Sequence, residues 1–528
     1  MADRVANLPC LLKQLRLSET SGDENRTQSD PDHVDFILKM YTVTEVLSEL
    51  CTEIRKDVPN KAPLLDKSLQ IFQQSSTCWL VPDDIDTETL SKQYVAYITS
   101  LLSAIQIPEQ RPSEEEIVHD EDFANVKEVA PNVLKVICGL LKVLDRNEDS
   151  QVEGDSQRLQ ELKGMVFKKV ASGIACGCIA FFGAEQPWSN DCCASSAQDT
   201  LSLIMRCCNF INESEMLCGS DDSDKVGVFG SILSLLKPIL GRDSWKKNLS
   251  TRQVFYWCVV RVARPYLSDY VNSILPPVLL FLDDHQLENR LLGVDCLQHV
   301  LKNTPAAELR WYNRAAVIYD ALYATLYSQE PRLVEKAVSC LLDVCAVIEK
   351  APTEEGVPQK ASQSDALLRH VLSNMQHERK IAMRRAYCRH LHLIIQHMGI
   401  RCVRHLNRLL RVVYEYLEVY DEPVETTRKD ILAATKAMII EAWPRMPHHA
   451  QPLAKALLKL VIDMSMNESR TPENVREEIC ASATECLVLL NRCCKGELAE
   501  DMRAVGEEIE ISAVKKCVKT VLEDMENP

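Results

Sequence analysis

Glycine is scarce in this 528-residue chain, with 16 residues, and aromatic side chains make up only 6%. The strict apolar–polar alternation of half-buried strands is almost absent, so no sheet is expected. No apolar run reaches the roughly 18 residues needed to cross a bilayer. Residues 1–17 carry Asp3, Arg4, Lys13 and Arg16 in place of a signal-peptide core. A G-x-x-x-x-G-K-[ST] phosphate loop, an H-E-x-x-H helix, a G-x-S-x-G turn and a glycine-rich turn after a strand are all missing. His377-Glu378 begins like a zinc-protease helix, but Ile381 and Met383 stand where a second ligand would be sought. The expectation is a soluble, non-enzymatic protein of the cytoplasm, with the nucleus as a second compartment and with no cofactor.

What the chain has in quantity is helical patterning. Five pairs of amphipathic stripes begin near residues 286, 331, 379, 425 and 473, at intervals of 45 to 48 residues. That is the period of a HEAT-like array, in which each helix pair can bury its apolar face only against its neighbours. Over residues 332–349, Leu333, Val334, Ala337, Val338, Leu341, Leu342, Cys345 and Ile348 recur at three- and four-residue steps and share one side of a helix. Ile431 with Leu432 and Met438, Leu453 with Leu457 and Val461, and Ile479 with Cys486 and Leu490 repeat the pattern. The predicted fold class is all-α, a HEAT/armadillo-like helical-repeat solenoid. It falls into a flexible polar segment over 1–32, an irregular helical region over 33–280 and HEAT-like repeats over 281–528. In the irregular region the spacing predicts helices near 33–56, 64–75, 88–105, 123–144, 157–182 and 195–211.

Punctuation residues support these boundaries. Thr304-Pro305 and Thr471-Pro472 read as helix starts, the threonine oxygen taking an orphan amide and the proline occupying the first helical position. Gly399 reads as the close of a helix ending at Met398, because it can adopt positive φ. Asp83, Asp84 and Asp86 read as turn and cap residues before a helix that begins near Glu88.

The 22 cysteines are dispersed. Cys296, Cys340, Cys345, Cys480 and Cys486 lie on or beside apolar stripes and read as buried thiols of a reducing compartment. Only Cys176, Cys178, Cys192, Cys193, Cys207, Cys208 and Cys218 cluster. Their spacing lacks the paired C-x-x-C of zinc sites, and no histidine falls between residues 171 and 280, so helix packing is expected there and no metal. His390 and His392 point to different sides of one helix and read as surface histidines.

A net charge of -16 disfavours wholesale nucleic-acid binding. The cations are nevertheless segregated: residues 366–411 hold ten Lys or Arg against one acid, Glu378. On a helix predicted over 403–420, Arg404, Arg408 and Arg411, with Arg401 just before them, fall within an arc of about 80° opposite Leu406, Leu409, Leu410, Val413, Tyr416 and Leu417. Arg385 and Arg389 sit one turn apart on the preceding helix. Two readings stand. These six arginines pair with acids of adjacent repeats, such as Glu415, Glu418, Asp421, Glu422 or Glu425, or they form a partner-binding patch for an acidic protein surface, whose carboxylates suit the guanidinium fork. Nucleic acid fits less well, since no aromatic residues are interleaved for stacking. The acidic stretches 145–155 and 213–225 and the linker 351–364 read as solvated loops.

Several stretches resemble one known family. They are Glu185-Gln186-Pro187-Trp188, Leu235-Leu236-Lys237-Pro238, Ser244-Trp245-Lys246-Lys247-Asn248, DDHQLENRLLGVDCLQH over 283–299, RHLNRLLRVVYEYLEVYDEP over 404–423, Trp443-Pro444-Arg445 and ATECLVLLNRC over 483–493. Together, over residues 183–494, they are similar to the family of the second TELO-two-interacting protein, the Tti-two subunit of the Triple-T co-chaperone complex. The resemblance implies a HEAT-type scaffold without catalytic activity that joins two sibling subunits, TELO-two and Tti-one. It implies an indirect link to the Hsp90 machinery and to the phosphatidylinositol-3-kinase-related kinases that the complex matures and stabilises, and no nucleic-acid or membrane partner. A transport adaptor carrying protein cargo is the competing expectation. In the run over 283–299, Leu287, Leu291, Val294 and Leu297 form the buried stripe, Gly293 permits close helix approach and Asp283 or Asp284 can cap the start. Gln286, Glu288, Asn289 and Arg290 are the exposed positions left for a partner.

Overall fold

A computed structural model of the chain describes residues 30–56, 61–109, 120–146, 153–219, 226–349, 362–466 and 470–526. Residues 1–29 of the expected flexible segment, 147–152 and 220–225 of the acidic stretches and 351–361 of the linker lie outside them. Every regular element among the described residues is helical, and a lone antiparallel bridge joins Gly219 to Val226. The expected all-α helical-repeat class is therefore observed. No helix among the described residues is long and apolar enough to cross a membrane.

The chain divides into two units, Met1–Pro277 and Val278–Pro528. In the first, the helices are α1 (Asp30–Met40), α2 (Val43–Arg55), α3 (Ala62–Gln74), α4 (Thr87–Ala104), α5 (Ala124–Leu144), α6 (Glu153–Ala180), α7 (Asp191–Cys207), α8 (Phe229–Leu236) and α9 (Leu249–Val259), and α10 (Val271–Leu282) contains the boundary. Helices pack on their second neighbours, α2 on α4 on α6 on α8 and α1 on α3 on α5 on α7, and α9 also packs on α6. Two layers result, the arrangement of stacked helix pairs. Between the layers Phe72 and Tyr97 meet with ring centroids 5.6 Å apart. Trp188, from the stretch Glu185-Gln186-Pro187-Trp188, is buried, donates its indole N–H to the Ala180 carbonyl at 2.8 Å and meets Phe123 edge-on at 6.0 Å. That stretch closes the core of its turn.

Two features of this unit depart from the sequence reading. The helix expected over 33–56 is split, because Thr42 and Glu45 form a reciprocal capping box: Thr42 N donates to Glu45 Oε2 at 2.9 Å and Glu45 N to Thr42 Oγ1 at 3.4 Å. The stretch 213–225 is not loop throughout, since Glu213–Cys218 is helical, capped by Asn212, and Glu213 accepts from Arg261 Nε at 2.8 Å. Asp86 caps α4 as expected, accepting from Thr89 N at 3.1 Å, whereas Asp83 pairs with Arg158 at 2.6 Å.

The second unit holds five helix pairs: α11 (Leu287–Asn303) with α12 (Arg314–Thr325), α13 (Pro331–Ile348) with α14 (Gln363–His377), α15 (Ile381–Cys388) and α16 (Leu391–Met398) with α17 (Leu406–Leu417), α18 (Thr426–Glu441) with α19 (Ala450–Ser465), and α20 (Glu473–Cys493) with α22 (Ser512–Glu526), between which lies α21 (Ala499–Glu508). The leading helices begin at 287, 331, 381, 426 and 473, within two residues of the predicted starts. Leu333, Val334, Ala337, Val338, Leu341 and Cys345 are buried as a stripe on α13. Burial of such stripes between neighbouring repeats is the main stabilising force, at about 25 cal/mol per Å² of apolar surface.

The caps of this unit are reassigned. Thr471 does not cap α20; it is buried and bonds Glu425 Oε1 at 3.2 Å, leaving Pro472 at the N-cap. Pro305, not Thr304, holds the N-cap before Ala306–Arg310. Asp284 is buried and accepts from Asn289 Nδ2 at 2.5 Å instead of capping α11. Asn289 is buried too, so it is not the exposed contact residue expected. The predicted roles of two glycines hold: a Cβ on Gly293 would lie 2.9 Å from the Leu282 amide nitrogen, and Gly399 closes α16 with φ of 56°.

Candidate partner-binding surface

The basic segment forms the third repeat of the second unit. Its predicted helix over 403–420 is shorter than expected, because residues 399–405 form a 3₁₀ turn and α17 runs only from Leu406 to Leu417. Arg401 and Arg404 therefore sit in the turn, not on the helix. Four of the six candidate arginines reach acids of neighbouring repeats. Arg385 grips Asp421 with two bonds, Nε to Oδ2 at 2.8 Å and Nη2 to Oδ1. Arg389 lies 3.4 Å from Asp430, Arg401 donates to Glu349 Oε2 at 3.1 Å and Arg404 to Asp365 Oδ2 at 3.1 Å. Of these acids only Asp421 was among those the sequence suggested. Arg408 and Arg411 are exposed on α17 and make no ion pair among the described residues. The six thus separate into four that join repeats and two that face solvent.

The acids respond to these contacts. Burial pushes the Glu349 carboxyl up, but His397, the amide and hydroxyl of Ser364, and Arg401 outweigh it and hold the group at about 2. Asp365 is also lowered: burial raises it, while the Ser362 amide, His405 at 2.8 Å, the Ser362 hydroxyl and Arg404 act the other way. At Asp421 burial is again opposed, by the Arg385 fork and by Thr427, whose amide and hydroxyl donate at 3.1 and 2.8 Å, and the net shift is downward. Asp430 is the exception. Its burial prevails over the longer contact to Arg389, Glu335 and Asp421 add to the rise, and it is pushed up to about 6.

The remaining candidates do not assemble a reaction centre. Burial pushes Cys176 and Cys207 up to about 12 and Cys208 up to about 11, the reverse of an activated thiolate. No three His, Cys, Asp or Glu side chains among the described residues are placed to hold a metal. His390 and His392 are half-buried, and burial lowers both, so they are not the surface histidines expected. A depression of 560 Å³ in the first unit is lined by Lys135, Cys138, Lys142, Asp199 and Arg206 among others, and a largely apolar one of 380 Å³ opens between α19 and α21.

Periodicity alone did not disclose a second class of surface residue. Trp311 is 67% exposed, Tyr312 85%, Ile400 56% and Trp443 60%. Helical periodicity marks residues that are buried, and all four lie in short turns, where no period operates. The nearest sequence signal was the stretch Trp443-Pro444-Arg445. Tyr312 and Asn313 are also both left-handed, with φ of 54° and 59°, a conformation costing about 1–3 kcal/mol per residue outside glycine.

Comparison with known proteins places these features. The model of the Tti2 family matches residues 233–420. The chain is 39% identical to TELO2-interacting protein 2 of Mus musculus over 338 residues, which is 64% of this chain and 66% of the mouse protein. It is 39% identical to TELO2-interacting protein 2 of Rattus norvegicus over 345 residues, 65% of this chain and 67% of the rat protein. The matches thus span about two thirds of these curated relatives. Among solved structures, one of Kap95p binding RanGDP is similar with a TM-score of 0.44 at 13% identity, covering 98% of this chain and 70% of that one. So distant a likeness carries nothing about cargo.

Proposed function

The chain belongs to the Tti2 family, and from that premise we propose that it is a non-catalytic scaffold subunit of a Triple-T-type complex. In this reading it binds TELO2-type and Tti1-type sibling subunits and acts with them, through the Hsp90 machinery, in maturing and stabilising phosphatidylinositol-3-kinase-related kinases. It works in the cytoplasm and the nucleus and uses no cofactor. The observation that supports it most directly is the family match over residues 233–420, which contains the basic third repeat with Arg408 and Arg411 facing solvent. A stack of repeats held by ion pairs such as Arg385–Asp421 is preorganised, so a large partner can be bound with little ordering cost.

The test is affinity purification of the full chain from cells with quantification of stoichiometric partners. Recovery of the two siblings at near-equal amounts, with kinases and Hsp90 components below stoichiometry, is the expected outcome. Recovery of Ran-like GTPases and cargo without the siblings would replace the scaffold with a transport adaptor.

A further inference from the structure

Helix α1 carries two apolar ridges, and its neighbour covers one of them. On a helical projection Val34, Ile37 and Tyr41 share one side, where they are buried and α1 packs on α3. Phe36 and Met40 stand one turn apart on another side and are 46% and 37% exposed. Single apolar side chains on a surface need no explanation, but a pair at i and i+4 on one helix makes a stripe that an added element can cover.

The chain ahead of α1 holds a stripe to match. Leu8, Leu11, Leu12 and Leu15 recur at i, i+3, i+4 and i+7, the spacing of a single helical face, and Asn7 before them is a capping residue type. Charge fits as well. Residues 8–17 contain Lys13 and Arg16 and no acid, whereas residues 30–40 contain Asp30, Asp32 and Asp35 against Lys39.

The join between the two stripes has a suitable length. Residues 18–29 include no Leu, Ile, Val, Met, Phe, Tyr or Trp. A coil of that length spans about 20 Å. Helix α1 is about 16 Å long at its 1.5 Å rise per residue, so a segment ending at Leu17 can lie back along it. So short a tether sets an effective concentration on the order of millimolar, enough to populate a weak contact that two separate chains at lower concentration would not make.

We infer that residues 8–17 fold back along α1 and cover Phe36 and Met40 with Leu8, Leu11, Leu12 and Leu15. The occupant of this ridge is the chain's own leading segment, and the inference stands apart from the scaffold reading.

Hydrogen exchange of the isolated full chain, read by mass spectrometry at two protein concentrations about twentyfold apart, tests it. Amides of residues 10–17 are expected to exchange about tenfold slower than an unstructured chain, and equally so at both concentrations. Joint Phe36→Ser and Met40→Ser substitution should return them to the unstructured rate while α5 keeps its protection, the sign that the fold is intact. Leu11→Asp with Leu15→Asp should do the same and also quicken exchange in α1, without touching any side chain of the helix itself. Unstructured-rate exchange in the parent chain overturns the cover. Protection that survives the Phe36 and Met40 substitutions overturns it by placing the segment elsewhere, and protection that rises with concentration does so by making the occupant a second copy.

Discussion

Arg428 and Glu425 face each other with both side chains fully buried, Arg428 Nη1 lying 3.5 Å from Glu425 Oε1. Glu425 is left-handed, with φ of 53°, and also accepts from the Asp421 amide at 3.2 Å and bonds Thr471 at 3.2 Å. Arg428 Nε donates to the Leu417 carbonyl at 3.0 Å. The pair thus joins the third, fourth and fifth repeats.

Removing one member strands a charge in the core, which costs about 3–5 kcal/mol. Arg428→Ala is expected to lower the urea midpoint of the full chain accordingly, and Glu425→Gln to do so by a smaller amount. Replacing both with apolar residues of similar volume should recover part of the loss. An unchanged midpoint for Arg428→Ala would show that the pair adds nothing to the joint.

Two glycines should respond oppositely to alanine. At Gly293 the new methyl meets the backbone of Leu282 at 2.9 to 3.2 Å, and overpacking of this kind costs about 1–3 kcal/mol. At Gly164, inside α6, a Cβ meets nothing within 4 Å, so Gly164→Ala should stabilise by about 0.5–1 kcal/mol through helix propensity. Thermal unfolding of both variants decides it.

Asp430 and Glu349 should give pH dependences of opposite sign. Asp430 is raised to about 6, so between the ordinary carboxylate range and pH 6 the folded chain holds a proton that the unfolded chain has released, and stability falls as pH rises. Asp430→Asn should therefore gain on the parent protein across that window and keep the gain at neutral pH. Glu349 is lowered to about 2, so its contribution is complete above the ordinary range and is lost as pH falls towards 2. Glu349→Gln should destabilise at pH 7 and progressively less in acid. Urea midpoints measured from pH 3 to 8 test both signs.

Arginine reversals should separate folding from binding. Arg408→Glu with Arg411→Glu breaks no ion pair among the described residues and should change stability by less than about 0.5 kcal/mol while weakening co-purification with the sibling subunits. Arg404→Glu places a carboxylate beside buried Asp365 and should destabilise the chain itself. Unimpaired co-purification of the double variant would remove Arg408 and Arg411 from the partner surface.

Much of this was legible beforehand where the information is local. The starts of the five helix pairs, the buried stripe of α13, the closing role of Gly399 and the close approach at Gly293 each depend on residues near in sequence or on the absence of a side chain. The capping roles of Thr471 and Asp284 were misread because each oxygen had a rival partner brought in by the fold, Glu425 in one case and Asn289 in the other. Arg408 and Arg411 were correctly seen to leave the apolar face of α17, but Arg401 and Arg404 were projected onto a helix that does not reach them.

From its own pattern the chain dictated stacked amphipathic helices of HEAT period, since a 3.6-residue recurrence buries one face whatever surrounds it. Tertiary structure alone decided which arginines stay available. Arg401 finds Glu349 and Arg404 finds Asp365 only because stacking brings together residues 52 and 39 positions apart. Coulomb attraction acts through space, and the neighbours it selects exist only once the repeats are piled.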